Sequence, residues 1–431
     1  MKNRDFFLGL LLALLVGTSL FLSGITWWRL YGEYGDIQAE NSALSVVDLA
    51  DVITPDRVVL HFGQDMHSVL YPNAPFYRES WDFARKVLHG KELVEVKNAK
   101  LDDENLRQKV GMELFFPVPL PVEFLTKVFN MNITQQAIPQ ERLVNSMMII
   151  EDDGLSVFFK GSSGEFYGLK NRESSFELKE LLERVRLENP PVYTYLPPAK
   201  INVKFEEGIY VPVSTEQNDL PVLSLKHEKM PPQSTIAQFF PDFSATRKIE
   251  EKDGAVVYTD GNRGLRIYPT GALEYSRPLT GGLKTGSDFY EALKIAANFI
   301  NTHGGWPQDV YLSGYKVAQN QRTAYTFNFG IRIKGLPLLS QSEYLTVTVE
   351  ENQVSRYFRN IVKENKVLYE IQPISPIQAL DAAIATFNLK EITSLELSYL
   401  IFEDALIPVW TVETRSGRIF INAKNGMAIN F

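Results

Sequence analysis

The fold is inferred from the stretch SPIQALDAAIATFN, residues 375–388. A second stretch, EALKIAANFIN at residues 291–301, aligns without a gap with its last eleven residues. In both segments apolar side chains recur every three or four residues, which is the spacing of one face of an α-helix. Ser375 and Gln378 form a capping-box pattern around a proline, which favours a helix start at this point. The two segments therefore predict a pair of related amphipathic helices.

Three strand-like runs follow each of these helices, so each copy is predicted to be a helix that covers the apolar face of an antiparallel meander. We interpret the copies as a divergent internal duplication, and call residues 286–365 the first repeat and residues 366–431 the second repeat. The runs are 310–317, 323–333 and 344–349 in the first repeat, and 395–402, 407–414 and 418–423 in the second.

The fold class predicted for the whole chain is α+β, with a single N-terminal transmembrane helix and a multi-domain extracytoplasmic body of antiparallel sheets, each covered by helices. An apolar strand at 58–62 and an amphipathic helix at 77–89 begin the body, and the proline-rich stretch ENPPVYTYLPPAK at 188–200 is typical of a linker. Ahead of the two repeats, the predicted bounds are 1–5 for a cytoplasmic tip, 6–28 for the transmembrane helix, 29–54 for a stalk, 55–190 for an N-terminal α+β domain and 200–285 for a β-rich middle region.

Residues 6–28 form an uncharged apolar run, FFLGLLLALLVGTSLFLSGITWW. At about 1.5 Å per residue a helix of this length spans about 34 Å, against roughly 30 Å of membrane hydrocarbon. Lys2 and Arg4 precede the run and acidic residues follow it, so we expect a cytoplasmic N-terminus and an extracytoplasmic body at the cell membrane. A cleaved signal peptide is the competing interpretation; the length of the run and the lack of an A-x-A-like site argue against it.

The predicted anchor carries a stripe of small residues. Gly9, Ala13 and Gly17 are spaced four apart, which puts them on one helix face, and such a face lets a second helix approach closely within a membrane. We therefore predict a transmembrane interaction face at these three residues. Chance spacing is the alternative, since glycine and alanine are common in membrane helices.

The composition excludes several classes of function. The 431 residues include 44 Lys and Arg against 52 Asp and Glu, for a net charge of −8, and no cysteine. An acidic body does not suit a nucleic-acid-binding protein, which needs clustered positive charge. The absence of cysteine rules out disulfides, thiolate zinc sites and a thiol nucleophile.

One segment has the composition of a metal site or a hydrolase site, namely His61-Phe-Gly-Gln-Asp65-Met-His67. Its spacing matches no helical zinc motif, and no third or fourth ligand accompanies it. We expect His61 on a strand and His67 in the turn that follows. No G-x-S-x-G or S-x-x-K motif is present. We therefore predict a non-enzyme without catalytic, cofactor-binding or metal-binding residues.

Two stretches carry a family resemblance. PDRVVLHFGQDMHSVLYPN at 55–73 resembles the start of the external region in the YycH/YycI family, whose members are single-pass regulators of the essential cell-wall sensor histidine kinase of low-GC Gram-positive bacteria. The second repeat, with Gly417, Phe420, Ala423 and Gly426, resembles the C-terminal module of that family and is similar to PepSY-like domains. The length of the chain favours the YycH type.

The resemblance implies a protein without catalysis or cofactors, whose partners are a sensor histidine kinase and a YycI-like co-regulator in the membrane. It leaves self-association open. A second hypothesis is an extracytoplasmic binding or protease-inhibitory protein of the cell envelope. A third is an envelope hydrolase that uses His61, Asp65 and His67.

Overall fold

The computed structural model describes residues 15–19 and 21–22 and most of the chain from 46 to 429. Within 46–429 the residues outside the description are 96–102, 134–141, 163–164, 170–173, 198–202, 206–207, 214–218, 241–242, 279–286 and 320–321.

The N-terminal domain is built on a ten-stranded sheet in the order β11-β9-β2-β1-β4-β6-β7-β8-β3-β5. All its pairings are antiparallel except that of β3 with β5. The strands are β1 (Arg57–Phe62), β2 (His67–Leu70), β3 (Glu92–Glu95), β4 (Val110–Pro121), β5 (Asn132–Ile133), β6 (Leu143–Glu151), β7 (Leu155–Gly161), β8 (Phe166–Leu169), β9 (Tyr193–Leu196) and β11 (Ile209–Pro212); the short β10 (Lys204–Phe205) lies outside this sheet.

Helices cover this sheet, and the second of them confirms the prediction over 77–89. It buries Trp81 completely, edge-on to the rings of Phe116 and Phe129. The indole nitrogen of Trp81 donates a hydrogen bond to the carbonyl of Ala50, 3.3 Å away, so burial leaves no polar atom of this side chain unsatisfied. The helices are α1 (Leu49–Val52), α2 (Tyr77–Leu88), α3 (Asp103–Arg107), α4 (Val122–Val128) and α5 (Phe176–Leu187).

A second sheet of fifteen strands runs through the rest of the chain, in the order β13-β14-β15-β16-β21-β20-β18-β19-β24-β25-β12-β22, with β17 on β18 and with β26 and β27 beyond β25. The parallel pairing of β19 with β24 joins the two repeats. The strands are β12 (Leu220–His227), β13 (Arg247–Glu250), β14 (Val256–Thr259), β15 (Gly264–Ile267), β16 (Leu273–Ser276), β17 (Val310–Gln319), β18 (Thr323–Ile333), β19 (Leu336–Leu339), β20 (Leu345–Glu350), β21 (Gln353–Arg359), β22 (Val362–Ile371), β24 (Ser394–Phe402), β25 (Ala405–Thr414), β26 (Gly417–Asn422) and β27 (Ala428–Ile429). The short β23 (Glu391–Ile392) lies outside this sheet and pairs in parallel with β10.

The two helices predicted from the aligned segments are present as α7 (Phe289–Thr302) and α8 (Pro376–Phe387), after the shorter α6 (Pro232–Phe239). α8 begins with the predicted capping box: the Ser375 hydroxyl accepts from the Gln378 amide, and the Gln378 side chain accepts from the Ser375 amide. α7 packs on β18, β20 and β21, whereas α8 packs on β25, β26 and β27. Each helix therefore covers the sheet of its own repeat.

The two helices lie in different hydrophobic cores. The side chains of α7 belong to a large core that also contains the buried residues of the N-terminal domain. The side chains of α8 belong to a smaller core formed by the second repeat together with Val203, Phe205 and the β11 residues Ile209 and Val211.

The stretch 188–200 is more than the linker that its prolines suggest. It is not helical, as predicted, but its central residues form β9, which pairs with β11 and with the edge of the N-terminal sheet. We call β9 and β11 the strap, because they connect that sheet to the core of the second repeat.

The predicted transmembrane segment 6–28 lies largely outside the described residues. Residues 15–19 and 21–22 are helical and exposed. In the part of the chain that the structure describes, no helix combines the length and the apolarity that crossing a membrane requires.

Candidate functional site

A cleft of about 630 Å³ opens where the N-terminal domain and the two repeats meet. Strand alternation makes its wall polar: along β24, Ser394, Glu396 and Ser398 face the cleft, while Leu395 and Leu397 between them pack against the core of the second repeat. Further polar lining comes from Asn328, Glu343, Thr346, Thr411, Glu413 and Arg418.

One ion pair crosses the cleft from the N-terminal domain to the second repeat. The Arg57 guanidinium lies 2.7 Å from a carboxylate oxygen of Glu396, and both side chains are partly exposed. The same guanidinium covers the ring of Phe115 at 4.3 Å, and Arg332 covers the ring of Tyr311 at 3.7 Å. One face of each ring is therefore occupied by a guanidinium.

The lining of the cleft is acidic on balance. Its charged residues are the carboxylates Asp56, Glu343, Glu396 and Glu413 and the guanidinium groups of Arg57 and Arg418. Arg418 is paired with Glu413 at 2.8 Å, as Arg57 is with Glu396. Burial raises the pKa of Asp56 to about 6, although Arg332, 3.1 Å away, acts to lower it. The cleft therefore favours a ligand that donates hydrogen bonds or carries positive charge over a phosphate or an apolar ligand.

The segment from His61 to His67 forms a tight hairpin. Gly63, Gln64 and Asp65 all have left-handed backbone angles, and the turn brings His61 opposite His67 in the β1–β2 register. The prediction for His61 is confirmed, but the prediction for His67 is wrong, because His67 is the first residue of β2. The short loop lets β2 begin one residue earlier than the sequence pattern indicates.

The two histidines are buried, 0% and 1% exposed, and contact each other directly. Their Nδ1 atoms are 2.9 Å apart, and the Nε2 atom of His67 lies 3.1 Å from a carboxylate oxygen of Asp65. Burial lowers the pKa of His61, and the neighbouring His67 and Arg107 lower it further. Burial also lowers the pKa of His67, although the hydrogen bond to Asp65 and the charge of Asp65 act to raise it. The pair is therefore neutral near pH 7.

A second buried group adjoins these histidines, and sequence reasoning missed it. Arg107 and Glu113, 5% and 0% exposed, form an ion pair at 3.0 Å. Two tyrosines of the strap contact this pair. The Arg107 guanidinium covers the ring of Tyr195 at 4.6 Å, and the Tyr210 hydroxyl donates to Glu113 at 3.3 Å. In the sequence, these two residues are only a basic and an acidic residue beside an apolar strand. Solvent-exposed residues have the same pattern, so it does not indicate a buried ion pair.

The hydrolase and metal hypotheses find little support in this geometry. Each histidine Nδ1 is engaged by the other, and the remaining nitrogen of His67 is engaged by Asp65. Among the residues that the structure describes, no group of three or more His, Cys, Asp and Glu side chains is arranged to hold a metal ion.

The predicted transmembrane interaction face is not tested by the structure. Gly9 and Ala13 lie outside the described residues, and Gly17 is helical with open space beside its Cα atom. This face stays a prediction.

No protein-family model matches the sequence, and no curated protein matches it. Among solved structures, the crystal structure of YycH from Bacillus subtilis is similar, with a TM-score of 0.62 and 13% sequence identity. The similarity covers 87% of this chain and 97% of the YycH chain. The chain has a YycH-like fold.

Proposed function

We propose that this protein is a non-catalytic, membrane-anchored extracytoplasmic regulator of a two-component sensor histidine kinase that controls cell-wall metabolism. The observation that supports the proposal most is the YycH-like fold, which extends over 97% of the crystallised YycH chain. The uncharged segment 6–28, with basic residues before it, supports the membrane anchor. A YycI-like co-regulator is the second membrane partner in this proposal.

Within this role, the partner contacts are the transmembrane face of Gly9, Ala13 and Gly17 and the external body. We assign the cleft to an extended segment of a partner that carries lysine or arginine side chains. Three of the four lining carboxylates are paired with arginines, Asp56 with Arg332, Glu396 with Arg57 and Glu413 with Arg418. The exposed carboxylate of Glu343 therefore favours such a segment, and the polar wall supplies hydrogen-bond partners for its backbone.

Replacing Gly9, Ala13 and Gly17 together by leucine tests the membrane contact. Three large side chains on this face prevent close helix approach, so we expect co-purification with the sensor kinase to fall and kinase-dependent transcription to change by several-fold. The measurements are pull-down of the full-length protein from membranes and a transcriptional reporter of kinase output.

The matched control enlarges the opposite helix face, through Leu11→Phe, Leu15→Phe and Leu22→Phe, which we expect to leave both readouts unchanged. Equal effects of the two triple variants would count against a specific helix face. If an unrelated transmembrane helix in place of 6–28 also preserves full regulation, the tether alone suffices. That result would favour the alternative role, an extracytoplasmic binding or inhibitory protein that acts through its cleft.

A further inference from the structure

The strap has two faces that belong to two different parts of the molecule. Ile209 and Val211 of β11 lie in the core of the second repeat, together with α8. Tyr210, between them, points the other way, into the buried polar group of the N-terminal domain, as strand alternation requires. Any change in how Tyr210 is held is therefore transmitted to the second repeat through its two neighbours.

The attachments of the strap to the N-terminal domain converge on the histidine hairpin. β2 and β9 pair through a single residue pair, His67 with Tyr193. The Thr194 hydroxyl donates to Asp65 at 2.8 Å, and the edge of the His67 ring contacts the Tyr210 ring, with centroids 5.3 Å apart. The strap is thus attached mainly through polar side chains around His67.

The hydrogen-bond network assigns the protons of the histidine pair. Burial tends to raise the pKa of Asp65, but the hydrogen bonds from Thr194 and His67 prevail and lower it, so Asp65 is ionised and His67 donates from Nε2. The Nδ1 atom of neutral His67 then accepts, and the Nδ1–H of His61 must be the donor. This leaves Nε2 of His61 as a bare acceptor, buried and without a hydrogen-bond partner among the described residues.

An additional proton has no favourable position in this arrangement. On Nε2 of His61 it creates a buried cation without an acceptor and close to the Arg107 guanidinium. On Nδ1 of His67 it replaces the lone pair that accepts from His61 and breaks the bond between the rings. The nearest buried carboxylate, Glu113, is already engaged by Arg107, Ser146 and Tyr210.

We propose that the strap is an acid-sensitive joint, in which protonation of the His61–His67 pair releases β9 and β11 from the N-terminal domain and widens the cleft. A released pair is solvated and binds protons with ordinary histidine affinity. Since burial lowers both pKa values in the docked state, docking is stable above about pH 6.5 and is lost as the pH falls below that value. The ratio of docked to released strap falls about tenfold per pH unit for each proton taken up.

Across the cleft, few contacts join the wall formed by β24 directly to the N-terminal domain, whereas the β19–β24 pairing ties that wall to the first repeat and is the hinge about which it would turn. The second repeat reaches the N-terminal domain across the cleft through the Arg57–Glu396 ion pair, which is partly exposed. The first repeat shares its core with the N-terminal domain and stays in place. The inference deepens the proposed function, since it makes access to the proposed partner site dependent on external pH.

Two other groups have shifted pKa values, and their effects must be separated from those of the joint. His303 is stacked on Phe299 in the first repeat, and burial lowers its pKa too, but it does not contact the strap. Asp56 has its pKa raised to about 6 by burial, so its uptake of a proton stabilises the folded state as the pH falls. Its effect on stability is therefore opposite in sign to that of the histidines.

A distance measurement on the purified full-length protein tests the joint. Because the chain contains no cysteine, Glu180→Cys on α5 and Asp381→Cys on α8 give the only two spin-label sites, both exposed. We expect one distance population at pH 7.5 and a second, longer one that grows as the pH falls to 5.0, measured by double electron–electron resonance. Amide hydrogen exchange at 193–196 and 209–212, corrected for intrinsic rates, should accelerate over the same range in the wild-type chain.

Variants assign the response to its source. His67→Gln keeps a donor toward Asp65, and together with His61→Gln it removes both titrating rings, so we expect the pH response of the distance to disappear. His303→Gln and the exposed His227→Gln should retain the response. An unchanged distance distribution and unchanged strap exchange between pH 7.5 and 5.0 in the wild type would overturn the inference, as would a full response in the double variant. No kinase takes part, so such a result leaves the proposed function standing.

Discussion

The two repeats share an order of elements but are joined to the N-terminal domain by different chemistry. The first repeat continues the hydrophobic core of that domain: Phe124 of α4 contacts Phe289 of α7, with ring centroids 5.1 Å apart. The second repeat has a separate core around α8, although its Tyr399 and Leu406 belong to the large core and β24 pairs with β19 of the first repeat. Its polar links to the N-terminal domain are the strap and one ion pair across the cleft.

This difference separates a fixed joint from an adjustable one. Apolar contact depends little on pH or salt, because no charge is created or screened when it forms. Buried histidines respond to pH, and a partly exposed ion pair responds to ionic strength. A protein with both kinds of joint can keep one repeat in place while pH and ionic strength act on the attachment of the other.

The largest expected effect is at the fixed joint. Phe124 is 1% exposed, and Phe124→Ala leaves a cavity between the N-terminal domain and the first repeat. We expect the free energy of unfolding to fall by about 4 kcal/mol, equally at pH 7.5 and pH 5.5. Urea unfolding measures it, with Phe176→Ala as the control, since Phe176 is 69% exposed and should change stability by less than about 0.5 kcal/mol.

A somewhat smaller effect is expected beside the strap. Arg107→Met leaves the buried Glu113 carboxylate without its cation, which destabilises by about 3 kcal/mol. The double variant Arg107→Met with Glu113→Leu should recover much of this loss, because it removes the unpaired charge. Urea unfolding of both variants tests this explanation. If the double variant is less stable than Arg107→Met alone, the loss does not come from an unpaired Glu113 charge.

The smallest effect is expected at the ion pair across the cleft. Arg57→Ala should lower the free energy of unfolding by about 0.5 kcal/mol, with the difference disappearing at 1 M salt. Arg418→Ala is a matched control, because its partner Glu413 lies on the neighbouring strand of the same repeat. Only Arg57→Ala should lengthen the distance between labels at residues 180 and 381. Equal distances in both variants would show that the ion pair does not hold the cleft.

Much of the local structure was predictable from the sequence because it depends on neighbours in the chain. The capping box of α8 joins Ser375 to Gln378, three residues away, and the buried face of α2 follows from apolar residues three and four apart. The strand runs of both repeats were found in the same way. Hairpin geometry was harder: three left-handed residues between His61 and His67 tighten the turn beyond what the apolar pattern indicates.

The strap shows where local patterns fail. Prolines on both sides of Tyr193 and Tyr195 are typical of a linker, and they outweigh the strand-favouring valine, tyrosine and threonine side chains between them. The segment becomes one because its backbone completes the edge of the N-terminal sheet at His67 and pairs with β11. The same holds for Arg107 and Glu113, which are ordinary surface residues by composition and are buried in the structure, in contact with Tyr195 and Tyr210 of the strap.

By itself, the sequence predicted the helices α2, α7 and α8, the strand runs of both repeats and the resemblance that agrees with the YycH-like fold, because these follow from spacing, caps and alternation along the chain. The tertiary structure alone decided that His61 faces His67, that Arg57 meets Glu396 across 339 positions, and that a cleft lies between them. Such contacts bring together residues far apart in the chain. Their geometry depends on how the sheets pack, and local sequence patterns do not indicate that packing.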